Sequence, residues 1–478
     1  MASSSSTLVE HLTIQPVPES QRTGRARHLF PVWFGVQIMP LTLVTGVLGP
    51  TIYGLDLAWT VVAIIIGNVI GAVFMALHSV QGSKLGVPQM IQARAQFGMY
   101  GALLVLIVVI LMYLGFLASI LVLARDTLLL IVPGLSPLAA LIACSVLALA
   151  IVLFGYEIIH RFNRYLLPLF ALAVVLLGVF TFTHMGQASS SAPALGFSLT
   201  GFLAMAATAA IWQIAYAPYV SDYSRYLPSK TSSKSAFWFT YLGTVGGAIP
   251  VMVLGALLVT ASGGKGDLQD LVAILPTPVM LFVVAMLFLG AMDAAVINLY
   301  GPALTTITMI QTFRTSWSPK ARARNSVAIG TCFLATVIAA FFANDFLVSY
   351  GDFIHFLMTL LIPWSIVNLV DYYIVKRGDY DVAAFNDPKA GYGAFNVPAL
   401  VTYVLGFIIQ LPFMRGSFYT GPIAESLNGA DLSWLVGSIA SFFIYLTLIR
   451  FAQRRTPTPD LSRAAAPTPA PADVQSQP

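Results

Sequence analysis

Charge is what this chain has least of. Only 9% of its 478 residues are Asp, Glu, Lys or Arg, against about 25% in an ordinary soluble domain, and that excludes a water-soluble globule. Cysteine is scarcer still. Cys144 and Cys332 stand far apart inside apolar runs, so neither a disulfide framework nor a cysteine-based metal site is expected. The first 28 residues carry no apolar core, which rules out a cleavable signal peptide. No Gly-x-x-x-x-Gly-Lys-[Ser/Thr] loop occurs, so direct ATP-driven pumping by this chain alone is not expected. His, Glu and Cys are sparse within the apolar runs, which disfavours an intramembrane enzyme, and no cofactor is implied.

What is abundant is apolar length. Hydrophobic residues make up 58% of the chain, and they fall into runs of about 20 residues, enough to cross a bilayer as helices. Twelve spans are expected, at 31–53, 56–79, 100–124, 135–155, 165–184, 198–221, 236–261, 277–311, 326–344, 349–374, 395–413 and 431–451. This predicts an all-α polytopic membrane protein with one transmembrane domain, 29–451, between an amino-terminal tail, 1–28, and a Pro/Ala-rich disordered tail, 452–478. With twelve spans, 21 of the 24 Lys and Arg residues share one side, leaving only Arg125, Lys265 and Arg415 opposite. The bias puts both termini in the cytoplasm of a cell membrane. Net charge of +5 thus reports topology, not nucleic-acid binding, and the sequence leaves monomer or oligomer open.

Two of the runs are broken, at 33–53 and 198–221, where Pro, Gly and amide residues interrupt the middle. In hydrocarbon such breaks survive only where they line an enclosed cavity, and a matched pair is the mark of a secondary transporter built from inverted repeats. A channel is disfavoured on the same ground. In the first break Pro40 frees a carbonyl one turn earlier, which offers a small cation main-chain oxygens around Ile38 and Met39. Gln37 brings an amide able to pair with a planar heterocycle; a plain proline kink, with Gln37 bonded to a neighbouring helix, is the alternative. The second break holds Trp212, Gln213, Tyr216, Pro218 and Tyr219, rings and an amide suited to a flat solute. Trp212 and Tyr113 could equally be packing residues.

Asp293 lies mid-way along the run 278–311, which contains no Lys or Arg. A carboxylate there is a functional candidate by default. It could take up a proton or join freed carbonyls around sodium; a protonated Asp293 making one structural hydrogen bond is the bland reading. Asp222 and Arg225 close the sixth span as an ion pair or gate contact, and Asp371 anchors or gates the tenth. Glu157, His160, Arg161 and Arg164 read as a solvated loop cluster.

Several stretches resemble a known family. They are Trp33-Phe34-Gly35, Gly86-x-Pro88 with Arg94-x-x-Phe97-Gly98-x-x-Gly101, Ser221-Asp222-Tyr223-Ser224-Arg225-Tyr226-Leu227-Pro228, Asn298-Leu299-Tyr300, and Pro363-Trp364 with Asp371-Tyr372-Tyr373. Together they resemble the nucleobase:cation symporter-1 family of purine–cytosine permeases and hydantoin, allantoin and uracil carriers. The resemblance implies a LeuT-like fold of two five-helix inverted repeats plus two further helices, with H+ or Na+ driving uptake of a small planar heterocycle. It implies substrate contacts from Tyr113, Asn298 and the position of Gln213, where hydantoin carriers have a stacking tryptophan that here stands one residue away as Trp212. Leu117 replaces an expected amide, and Ser119 could supply a hydroxyl instead. Asp293 falls near a hydroxyl ligand of sodium-coupled relatives, and the neighbouring Leu289-Gly290-Ala291-Met292 lacks hydroxyls, which favours proton coupling. Other solutes, such as a vitamin precursor or an amino acid, and sodium coupling stay open.

Overall fold

The computed structural model describes residues 15–154, 156–185, 196–263, 266–314 and 321–455, with the side chains of 154–167, 304, 321, 324 and 455 left out. The described chain is almost wholly helical. The first span is α1 (Leu29–Gln37) and α2 (Pro40–Thr51), bent by 60° at the Ile38-Met39 break. Then come α3 (Leu57–Leu85), the short α4 (Gln89–Phe97), α5 (Ala102–Ile131), α6 (Pro137–Phe154) and α7 (Tyr156–His184). A second series runs α8 (Leu199–Ile214), α9 (Ala217–Ser224), α10 (Ser233–Ala261), α11 (Leu268–Val272), α12 (Thr277–Phe313), α13 (Ala321–Phe342) and α14 (Phe346–Val370). The chain closes with α15 (Val397–Gln410), α16 (Pro422–Ser426) and α17 (Ser433–Arg455).

Among the described residues eight helices are long and apolar enough to cross a membrane, and the bent α1–α2 pair makes a ninth. Three shorter apolar helices, Pro137–Leu153, Pro168–His184 and Val397–Phe413, stand where the remaining spans are expected. Some boundaries differ from expectation for a reason visible in the packing. α3 was expected to stop near residue 79 because polar residues follow, but Ser79, Gln81 and Ser83 are fully buried: Ser79 and Gln81 bond α9, α10 and α14, and Ser83 donates to Val80 of its own helix, instead of to water. The helix therefore continues to a left-handed Gly86, φ +67°. α7 likewise begins at Tyr156, so the expected loop at Glu157, His160, Arg161 and Arg164 has helical backbone, and its side chains lie outside the described residues.

The two expected breaks are unequal. At the first, the proline ring at Pro40 drives the preceding residue out of the helical region: Met39 is extended, φ −140° and ψ 156°, and the axis turns sharply. At the second, Ala215 and Tyr216 both keep right-handed φ/ψ, and Pro218 sits in the first turn of α9, where its missing N–H is tolerated. The result is a two-residue turn within one span, Leu199–Ser224.

Helices pack by small residues, as expected where lipid supplies no hydrophobic drive. α3 turns Ile65, Ile66, Val69, Ile70 and Val73 outward, while Gly67 and Gly71 meet α8. A Cβ on either would stand 2.2 Å from a carbonyl oxygen of Ala206 or Ala210, so glycine alone permits this approach. α5 and α14 form the centre, each with 78% of its apolar window buried, and α17, at 17%, lies at the periphery. The expected tail 1–28 is described from residue 15, where it packs as a strap: Val17 is buried and donates to the Gly86 carbonyl, and Gly24 donates to that of Tyr226. Residues 1–14 and 456–478, half of the first expected tail and most of the second, lie outside the described residues.

Candidate functional site

The site is built around the first break. Gln37, the last residue of α1, is fully buried. Its Oε1 accepts from Trp212 Nε1 at 2.6 Å, and its Nε2 donates to Thr244 Oγ1 at 2.9 Å. Thr244 donates in turn to Gln213 Oε1, and Gln213 Nε2 donates to Asn68 Oδ1 at 2.6 Å. One buried chain of side chains therefore ties α1, α8, α10 and α3 together. Three of the expected site residues, Gln37, Trp212 and Gln213, belong to it; Thr244 and Asn68 were not anticipated. Buried polar groups stay only when paired, which is why each member recruits the next.

Aromatic rings gather beside this chain. Trp212 meets Tyr216 edge-on at 6.1 Å and Phe116 at 6.1 Å, and Trp33 meets Tyr216 at 5.9 Å. Tyr113 of α5 stacks on Tyr219 of α9, centroids 5.8 Å apart and planes 30° off. Gly301 of α12 makes room for it, since a Cβ there would lie 2.4 Å from the Tyr113 ring. Asn298, one turn earlier on α12, is half-buried and its Nδ2 donates to the Ala294 carbonyl of its own helix. Ser119 also turns inward on its helix, donating to Gly115 at 2.9 Å. Against Tyr113 and Tyr219 opens a cleft, about 450 Å³ with the solvent at its mouth counted, whose lining includes Pro88, Asp222, Thr305 and Thr308.

A second, apolar pocket of about 390 Å³ lies on the other side of the break, lined by Ile38, Met39, Pro40, Phe170, Val283 and Gly290 among others. Its lining side chains carry no oxygen, so a cation here would depend on main-chain carbonyls or on a nearby acid. Gly290 of α12 faces Pro40, whose ring would lie 3.1 Å from a Cβ added there. Asp293 is three residues further, half-buried, and helical geometry raises it by about 4.5 Å along the same side of α12. Among the described residues no cluster of three or more His, Cys, Asp or Glu could hold a metal ion.

Asp222 and Arg225, the expected gate pair, stand at the end of α9. Asp222 Oδ1 accepts the Gln89 main-chain amide at 3.0 Å, placing a carboxylate on the amino end of α4, where the helix dipole favours it. Arg225, only 2% exposed, donates to Tyr226 and lies 5.0 Å over its ring. Asp371 starts the π-turn that ends α14 and accepts from both Tyr380 and Tyr445, an anchor for the 371–397 connection. Arg94, buried in α4, reaches Asn386, Thr308 and Thr312, and burial pulls its guanidinium down to about 10.

Comparison with known proteins gives this arrangement its family. A model of permeases for cytosine/purines, uracil, thiamine and allantoin matches residues 16–437. YxlA of Bacillus subtilis, assigned to the purine-cytosine permeases, is 39% identical over 92% of this chain and 96% of its own. The purine-cytosine permease fcyB of Emericella nidulans is 24% identical over 93% and 89%. Among solved structures, the inward-facing conformation of Mhp1 superposes with a TM-score of 0.71 at 17% identity, covering 92% of this chain and 94% of that one. Mhp1 in a closed conformation with bromovinylhydantoin bound superposes equally, at 0.71 over 92% and 95%. The fold is therefore LeuT-like, and this chain belongs to the family of permeases for cytosine and purines, uracil, thiamine and allantoin.

Proposed function

We propose that this protein is a secondary active transporter that couples uptake of a nucleobase, such as cytosine or a purine, to a cation gradient by alternating access. The observation that carries the reading is the double role of the break between α1 and α2. One side of it, at Gln37, joins Trp212, Gln213 and the surrounding rings; the other, at Pro40, faces α12 one turn from Asp293. A flat base is held well by ring faces and a few fixed hydrogen bonds. Tyr113 and Trp212 offer the faces, and Gln37, Gln213 and Asn298 offer amides with two N–H groups and two lone pairs each, enough to keep their protein partners and read a base edge as well.

The coupling ion in this reading is a proton carried by Asp293, with the main chain at Ile38 and Met39 as its neighbour. The apolar lining of the adjacent pocket supports a proton over sodium, which asks for several oxygen ligands. Asp222 and Arg225 serve the gate on the α4 side. The three shorter apolar helices complete twelve spans in a cell membrane, with both termini cytoplasmic, as the uneven distribution of Lys and Arg favours. The test is reconstitution into liposomes under an imposed proton or sodium gradient, following labelled cytosine, hypoxanthine and allantoin. Asp293→Asn is expected to abolish gradient-driven accumulation while leaving counterflow. Unchanged accumulation in that variant removes Asp293 from the mechanism, and accumulation driven by sodium alone overturns the proton.

A further inference from the structure

At the opposite end of the molecule from the 450 Å³ cleft, a second ionisable group is buried among polar partners. His355 of α14 is 8% exposed. Its Nδ1 lies 3.6 Å from Asp431 Oδ2, in the segment leading into α17. Its Nε2 lies 3.2 Å from Thr208 Oγ1 of α8 and 3.3 Å from the Tyr53 hydroxyl, just past the end of α2. Tyr53 and Thr208 are themselves 2.8 Å apart. The imidazole thus stands between the outer end of α2, the middle of α8 and the segment before α17. We infer that His355 is a proton-binding site distinct from Asp293, and that its protonation tightens the hold of α14 on the end of α2, on α8 and on the segment before α17. The inference rests on the transport reading above.

A neutral imidazole can already donate Nδ1–H to the Asp431 carboxylate while Nε2 accepts a hydroxyl hydrogen; an imidazolium donates at both nitrogens and carries the charge. Proton uptake from the outer water therefore makes the contact with Asp431 a charge-assisted pair and turns Nε2 from acceptor to charged donor toward the Tyr53–Thr208 hydroxyls. The carboxylate is ready to receive it. Asp431 already accepts the main-chain amides of Arg415 at 3.0 Å and Ser433 at 2.9 Å. Burial works to raise its pKa, but His355 and these donors outweigh burial and hold it below the ordinary carboxylate value. The other charged groups around the imidazole are Asp352, about one turn earlier on α14 and bonded to Ser417, and Arg415, whose guanidinium is turned to the Gly429 carbonyl; α8 contributes the neutral Thr208 and α2 the Tyr53 phenol. Unpinning α2 and α8 from α14 is what access from this side requires, and histidine is the side chain that titrates in the physiological range.

The test uses the full-length protein in lipid nanodiscs and follows hydrogen exchange of segments 48–56 and 199–208, corrected for intrinsic rates, at about pH 5 and about pH 8, on either side of the ordinary histidine value. Wild-type protection of both segments is expected to be about tenfold or more greater at the lower pH. His355→Gln, which keeps one donor but cannot be protonated, and Asp431→Asn, which removes the charge, are each expected to flatten that dependence. Wild-type protection that does not change with pH overturns the inference, as does an unchanged dependence in folded His355→Gln. Counterflow of labelled nucleobases in proteoliposomes separates the two readings: its absence alongside pH-dependent protection leaves the proton site standing and removes transport.

Discussion

The buried chain through Thr244 gives the sharpest check on how the site is held. Thr244→Val keeps the shape of the side chain but removes the one atom that accepts from Gln37 and donates to Gln213. Both glutamines are fully buried, so a Gln37 N–H and a Gln213 lone pair lose their partner without access to water. Interhelical hydrogen bonds in membrane proteins are worth about 0.6 kcal/mol on average and at most about 1.7, while an orphaned buried group costs about 1–3 kcal/mol. For two groups that can partly relax, a loss of about 2 kcal/mol follows, equivalent to roughly a 30-fold change in an equilibrium constant. Because Gln37 also fixes the end of α1, that loss is expected in solute affinity as well as stability. The assay is KM and maximal rate of cytosine or hypoxanthine counterflow, with the thermal midpoint in detergent as control. Thr244→Ser, which restores the hydroxyl, should recover most of the affinity. A Thr244→Val protein with wild-type KM and midpoint would refute the claim that the network positions Gln37.

Three further outcomes follow from the packing. Tyr113→Ala removes a ring stacked on Tyr219 and should raise KM for a nucleobase about fivefold, in line with about 1 kcal/mol for an aromatic pair, whereas Tyr113→Phe should change KM little. Gly71→Val sets a side chain 2.2 Å from the Ala210 carbonyl and should destabilise by about 1–3 kcal/mol through overpacking, read as a lower unfolding temperature; Gly330→Ala, with open space around it, should be neutral. Asp431 has a folded pKa below its ordinary value, so its stabilisation is present above the unfolded value of about 4 and is lost as pH falls through the lower folded one. Thermal unfolding across acid pH should therefore show wild type and Asp431→Asn converging at about pH 3 and below; curves that stay parallel would exclude the pairing.

Most of the fold was legible because lipid imposes simple rules. Apolar runs had to be helices, and Pro40 had to break one of them; both are read directly from residue type. The inequality of the two breaks was not legible, since Pro218 looks as disruptive as Pro40 in sequence but falls in the first turn of α9, where no hydrogen bond is lost. The candidate site residues were chosen by type, amides and rings near breaks, and their hydrogen-bond partners were not anticipated. Gln213 was expected to face a solute, and the structure bonds both of its amide ends to Thr244 and Asn68; threonine in a membrane helix is too common to stand out. His355 did carry a signal, a lone histidine inside the apolar run 349–374, of the same kind that singled out Asp293. It went unremarked because its partner Asp431 is 76 residues away, at the first residue of a different expected span, 431–451.

Coupling requires that one ligand change the affinity for the other, and hence that both touch an element with two arrangements. The break at Ile38-Met39 has the right construction for that element. Among the described residues it is the one place where a sharp bend, an amide embedded in the aromatic site and a contact with α12 occur within four residues, Gln37 to Pro40. In the proposed mechanism a change of charge on Asp293 acts on α12 beside Pro40, and any tilt of α2 about the break is transmitted to Gln37 through the two residues Ile38-Met39, which lie outside both helices. A rigid, continuous first helix would separate the two sites by intact hydrogen-bonded turns. In the proposed mechanism the bend, more than any single liganding side chain, is what lets the solute and the coupling ion sense each other.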